Sequence, residues 1–245
     1  MLGSIIGSNK WNWAAVGKHP SAKDYIRIGG TTPLMDAVAQ WSAAGYRALN
    51  PDKTNQPIHH SWRFWLKGIK KGTLICGLGR DSSDSIGRPY PLIIMGEGRI
   101  RGWEKQWFHL PAMLEKTWNR MEFVASHRYD DARAMEDEVN RRMSTPRASS
   151  EDDAEAVQDT CAEGCSLNLS KCKDELARDG ISMISLNQTN GVDPHILVLH
   201  CHRGLETFCG GIPRGVFIGG TPQQAYLAVI QHPLGAEDFV KLWTC

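Results

Sequence analysis

Two glycine–proline segments constrain this chain more than anything else in it. The first is Gly17-Lys18-His19-Pro20-Ser21-Ala22-Lys23-Asp24-Tyr25. The second, of the same chemical kind, is Asp84-Ser85-Ile86-Gly87-Arg88-Pro89-Tyr90-Pro91. In each, glycine and proline fix a loop, and charged and aromatic side chains are there to be presented by it. Strand-like runs bound both: 11–16 before the first, 73–78 and 92–95 on either side of the second. Stiff loops held by strands are where proteins commonly place binding chemistry.

The rest of the chain alternates runs of strands with runs of helices. Residues 60–66 alternate, with Trp62, Phe64 and Leu66 on one face. Apolar residues at near-helical spacing predict a helix over 34–49, stopped by Asn50-Pro51-Asp52. A long helix is expected over 103–124, starting near Leu110 because Pro111 suits a first turn, and a charged helix over 130–143. Residues 167–178 read as a short helix broken by Gly180. Strands are expected at 181–186, 196–200 and 205–208, the last two as a hairpin around His202-Arg203-Gly204. Thr221-Pro222 reads as an N-cap and N1 proline opening a helix to about 231, and a short helix is expected at 235–242. This mixture predicts an α+β fold: a mostly antiparallel central sheet with helices packed on its faces, an α/β sandwich. Residues 1–143 form its first part and 166–245 its C-terminal part. Between them, 144–165 is polar and acidic and reads as a linker or insertion.

Bulk properties exclude several classes. The 245 residues carry a net charge of +1, unlike a nucleic-acid binder driven by charge. Lys67 to Lys71 holds three lysines but is too short for a basic stripe. No apolar run reaches the ~18 residues of a membrane span, and residues 1–10 lack the basic and apolar regions of a secretory signal. Seven cysteines, an odd number, fit free thiols in a reducing compartment.

Catalytic motifs are incomplete. Cys161, Cys165 and Cys172, and further on His195, His200, Cys201, His202 and Cys209, form neither a CxxC nor an H-x-x-x-H pair. On a strand, His200 and His202 would share a face, but scattered thiols and histidines are the simpler account. His19 near Ser21 is not a nucleophile elbow, and the paired glycines 210–211 and 219–220 lack the lysine of a phosphate-binding loop. The carboxylates Asp24, Asp81 and Asp84 are the remaining candidates. Asp84 with Gly87 and Arg88 reads as a turn closed by an aspartate. A bidentate arginine–carboxylate pair, Asp24 with Arg88, is expected to lock the two loops together.

The ordered segments then resemble the TagF family of type VI secretion-associated proteins. That family's Gly-Lys-x-Pro-x-x-Gly-Asp-Phe loop is matched by residues 17–25, followed by Arg27. A helix tryptophan is matched by Trp41, a Trp-Arg-Phe strand by Trp62-Arg63-Phe64, and a Pro-Ser-x-Asp-x-Val-Gly-Arg-x-Phe-Pro-Leu segment by Asp81-Ser82-Ser83-Asp84-Ser85-Ile86-Gly87-Arg88-Pro89-Tyr90-Pro91-Leu92. Lys23 stands where the family has glycine. Asp81 stands where it has proline, so a softer start to the second loop is expected. The resemblance implies a cytoplasmic, non-enzymatic bacterial regulator without a cofactor. It would act as a post-translational repressor of type VI secretion by binding the forkhead-associated scaffold protein. The expected partner-binding patch is Lys18, Pro20, Asp24, Tyr25, Arg27, Asp84, Gly87, Arg88 and Tyr90, while Trp41, Trp62 and Phe64 are expected in the core. The alternatives are a small-ligand or metal-dependent enzyme using Asp24, Asp84 and His19, which requires a concave pocket, and a structural subunit or homodimer, which requires a large apolar patch.

Overall fold

The third strand shows why the chain forms layers. Trp62, Phe64 and Leu66 point to one face, Arg63 and Trp65 to the other, and every one of these apolar side chains is buried. A strand buried on both faces needs helices above and below it. The computed structural model describes residues 11–49, 59–143, 169–187 and 194–245. In chain order the elements are β1 (Asn12–Gly17), β2 (Ile26–Gly29), α1 (Pro33–Leu49), β3 (Ser61–Lys67), β4 (Thr73–Arg80), β5 (Leu92–Arg99), α2 (Leu110–Ser126), α3 (Ala132–Arg142), α4 (Leu169–Asp179), β6 (Ile181–Ser185), α5 (Pro194–Phe208), β7 (Gly215–Gly220), β8 (Ala225–Ile230) and α6 (Ala236–Leu242).

The strands form one antiparallel sheet in the order β2-β1-β5-β4-β3-β7-β8-β6. On one face, α2 to α5 contribute Leu114, Trp118, Val139, Leu176 and Leu205, packed over Trp65, Cys76 and Ile94. On the other, α1 and α6 contribute Met35, Trp41 and Phe239, packed over Phe64, Ile75 and Phe217. The expected α/β sandwich is what forms, and Trp41, Trp62 and Phe64 lie in its core. Arg63 is the polar exception on the α2 side. Its guanidinium donates to Glu115 at 2.8 Å, Glu122 at 2.7 Å and Asn119 at 2.9 Å. Those acceptors recur at helical spacing on one face of α2, so a single strand cation fixes that helix over the sheet.

The first three strands of the expected pattern, the helices at 34–49 and 235–242, and the helix starting near Leu110 form as read. Two short 3-10 turns, Trp103–Lys105 and Trp107–His109, precede α2. Asp131 caps α3 by accepting the Ala134 amide at 2.8 Å. Three readings are corrected. Residues 196–208 are one helix, not a hairpin. Buried Leu197, Val198, Cys201, His202 and Leu205 recur at helical spacing, and a short apolar run such as Ile196 to Leu199 does not by itself distinguish helix from strand. Residues 221–231 are a turn and a strand, not a helix. Thr221 Oγ1 accepts the Gln224 amide at 3.1 Å, the same local bond that an N-cap makes, and β8 follows. The loop read between residues 17 and 33 contains β2, whose Ile26 and Ile28 are buried on the sheet. The linker at 144–165, Cys161, Cys165 and the helix stop at 50–52 lie outside the described residues.

Candidate functional site

Both singled-out loops leave the same end of the sheet, side by side. Gly17 ends β1 opposite Leu92 of β5, at φ +123° and so close to its neighbour that an added Cβ would lie 2.1 Å from the Pro91 carbonyl oxygen. Only glycine permits both the conformation and the approach. Across the gap the Ser85 amide donates to the Ala22 carbonyl at 2.8 Å. The second loop is itself folded back. The Asp84 amide donates to the Arg88 carbonyl at 3.2 Å, the Gly87 amide to the Asp84 carbonyl at 3.0 Å and the Tyr90 amide to the Ser82 carbonyl at 3.0 Å. Gly87 turns this hairpin at φ +84° with open space around it, so conformation alone selects it.

Asp84 is the hub. Its side chain is out of solvent, and both oxygens are engaged. Oδ1 accepts the amides of Ile86 at 3.2 Å and Arg88 at 2.9 Å. Oδ2 takes Lys18 Nζ at 3.0 Å and Arg88 Nε at 2.6 Å. Burial alone would raise the pKa of this carboxyl. The Arg88 amide, the two cations and the Ile86 amide outweigh it and hold the group far below the usual carboxylate range.

The loop lock differs in detail from the expected bidentate pair. Arg88 divides its fork, donating Nε to Asp84 within its own loop and Nη2 to the Lys23 carbonyl at 2.8 Å, and lies 3.6 Å from Asp24. The shortest inter-loop ion pair is made by Lys18 with Asp84. Asp24 is exposed and accepts the Tyr25 amide at 2.7 Å. Arg27 joins none of this: it pairs with Asp36 of α1 at 2.7 Å. Pro20 opens a tight turn in which the Ala22 amide donates to the His19 carbonyl at 2.9 Å.

The aromatics line up beside the charges. Tyr90 meets Tyr25 edge-on at 5.6 Å and Tyr46 at 4.9 Å, favourable quadrupole geometry. The Tyr46 hydroxyl donates to the Pro89 carbonyl at 3.1 Å, tying the loop to α1. Tyr25 and Ile86 remain 44% and 70% exposed, so the lock leaves two large apolar side chains facing solvent.

Asp81 and Tyr46 take part through contacts distant in sequence, for which neither carries a local signal. Asp81 accepts the His60 amide at 2.8 Å and the Trp243 indole N–H at 2.7 Å. It therefore anchors the loop start to β3 and to the chain's last turn, and the softer start expected from the missing proline is corrected. His19 is buried, and burial holds it below the ordinary histidine range. Its Nδ1 accepts the Ser21 amide at 3.2 Å, while Ser21 Oγ accepts the Tyr129 amide. These are structural bonds, not a nucleophile–base pair. His202 is also a core group. Its Nδ1–H donates to the Val198 carbonyl at 3.0 Å and its Nε2 accepts the Trp65 indole at 3.3 Å, so a two-histidine metal face on a strand does not form.

Residues 14–144 match the family model of the TagF N-terminal domain, Type VI secretion system-associated. Among solved structures, the chain is similar to PA0076 from Pseudomonas aeruginosa PAO1, with TM-score 0.55 and 16% identity over 95% of this chain and 94% of that one. At that identity the likeness is one of fold. No curated protein matches the chain.

Proposed function

Because this chain belongs to the TagF family of type VI secretion-associated proteins, we propose that it is a non-enzymatic accessory protein. It represses secretion post-translationally by binding a forkhead-associated scaffold component in the cytoplasm, without a cofactor. The observation that supports binding over turnover is how the charges of the loop pair are used. Asp84, the better-placed acid of the rival enzyme reading, has both oxygens committed to Lys18, Arg88 and two amides, and is held ionised. A carboxylate so stabilised is a poor proton acceptor at neutral pH. The Ile86 amide is held by Asp84 and the Tyr25 amide by Asp24, yet both side chains stay exposed, and preorganised apolar side chains beside charged ones suit a protein interface.

In this reading the repressor acts by occupancy: the two-loop patch covers a surface of the scaffold that assembly requires. Calorimetric titration of the purified scaffold into the full chain tests it. Saturable binding at micromolar affinity or tighter is expected. No heat and no co-migration on a sizing column would overturn the reading.

A further inference from the structure

The lysine-rich segment 67–71 is left unused by the loop patch. It forms the turn between β3 and β4, at the opposite end of the sheet. β4 runs eight residues from this turn to the lock, about 25 Å at the rise of an extended strand. The turn is stiff: the Gly68 amide donates to the Thr73 carbonyl and the Thr73 amide to the Lys70 carbonyl, each at 3.0 Å. At its tip Ile69 is 88% exposed, more than any other large apolar residue described. Lys70 and Lys71 follow it, both exposed.

Neighbouring strand ends add cations. Arg99 lies opposite Thr73 and donates to the Lys71 carbonyl at 3.3 Å. Arg101 follows it, and the Arg214 carbonyl accepts the Lys67 amide at 2.9 Å. Behind the turn is a cavity of about 340 Å3 lined by Lys67, Ile69, Lys70, Lys71, Trp103 and Glu104 among others. Glu104 is the single acid in that lining, and its carboxylate is turned onto the Gly72 amide. A chain of net charge +1 thus concentrates positive charge at one end of its sheet, around an apolar tip.

We propose that this end of the molecule docks on an anionic lipid bilayer. Lysines and arginines lie at headgroup level and Ile69 enters the boundary beneath, the pairing of charge with an apolar probe that interfacial binding uses. Single-stranded nucleic acid is the poorer fit. Stacking needs an exposed ring, and the cavity's ring, Trp103, is 2% exposed. The consequence is orientation: with the lysine turn on the membrane, the two-loop patch faces away from it, free to meet a protein.

Co-sedimentation of the full chain with phosphatidylcholine vesicles, with and without about one-third phosphatidylglycerol, tests this. The native chain is expected to pellet with the anionic vesicles only, and to be released as salt rises to about 0.5 M. Lys70→Gln/Lys71→Gln is expected to lower partitioning about thirtyfold, the loss of two surface cations. Ile69→Ser is expected to lower it about tenfold. All three residues are exposed, so melting is unchanged. Failure of the native chain to pellet would overturn the proposal, as would equal binding to neutral vesicles, binding unaffected by the double substitution, or tighter binding to a single-stranded RNA than to the vesicles. A scaffold titration unaltered by Lys70→Gln/Lys71→Gln separates the fate of this surface from that of the loop patch.

Discussion

Lys18 and Asp84 come from different loops, are 66 positions apart in sequence and meet at 3.0 Å with the carboxylate fully screened from water. That pair makes one surface out of two segments. Arg88 reinforces it from the solvent side, and the Tyr25–Tyr90–Tyr46 row covers its flank.

Asp84→Ala leaves Lys18 with only the Arg88 carbonyl, at 3.4 Å, and takes the acceptor from the Ile86 amide, the Arg88 amide and Arg88 Nε. Loss of one member of a screened charge pair is strongly destabilising, so the thermal midpoint is expected to fall on the order of 5 °C or more. Arg88→Ala, whose side chain is half exposed, costs less. Calorimetric melting of the two variants side by side checks the ranking; an unchanged midpoint for Asp84→Ala contradicts it.

Acid should act on the lock in a defined window. The folded pKa of Asp84 is depressed, so its contribution to stability is fully present above its unfolded value of about 3.9. That contribution is lost as pH falls below it, because the unfolded chain then binds the proton that the folded one refuses. Between pH 4 and pH 2.5 the native chain is expected to lose stability faster than Asp84→Asn, as read from urea midpoints.

His202 acts in a different window. Burial lowers its pKa to about 4, against a weaker raising effect of the Val198 carbonyl. From about pH 6.5 down to about 4 the unfolded chain takes up a proton that the folded one does not. Stability therefore falls as pH falls through that range, by on the order of 3 kcal/mol. His19, lowered by burial, adds the same sign. His202→Gln can still accept from the Trp65 indole and is expected to flatten the slope between pH 6.5 and 4.5 in chemical denaturation.

Asp81→Ala removes the acceptor shared by the His60 amide and the Trp243 indole. A loss of ~2 kcal/mol is expected, with faster hydrogen exchange in α6 and at the start of β3, while the Lys18–Asp84 contacts stay intact. Exchange that accelerates in the 81–91 loop alone would place the anchor elsewhere.

The local parts of this architecture were legible in sequence and the distant parts were not. Gly17, Pro20, Gly87 and Pro89 declare their loops through backbone chemistry, and the alternating face of β3 declares itself by period. Asp84 closing its own turn follows from spacing. The division of Arg88 between Asp84 and the Lys23 carbonyl does not, because it depends on how two separate loops dock. Asp81 meets Trp243 across 162 positions, and Tyr46 reaches Pro89 across 43, with no local signal for either. The errors cluster where one local signature serves two structures. Thr221-Pro222 bonds like a helix N-cap but closes a strand turn, and Ile196 to Leu199 is apolar enough for a strand but continues into a helical stripe.

In the proposed function, a charge-locked loop pair holds an exposed apolar surface for a protein partner. The most direct test is titration of the purified forkhead-associated scaffold into the native chain and into Tyr25→Ala/Ile86→Asp, with melting recorded on the same samples. Micromolar or tighter binding is expected of the native chain and a loss of tenfold or more, about 1.4 kcal/mol or greater, of the double variant, which stays folded with its midpoint lowered only slightly by the lost Tyr25–Tyr90 contact. Full-strength binding by the folded double variant would contradict it.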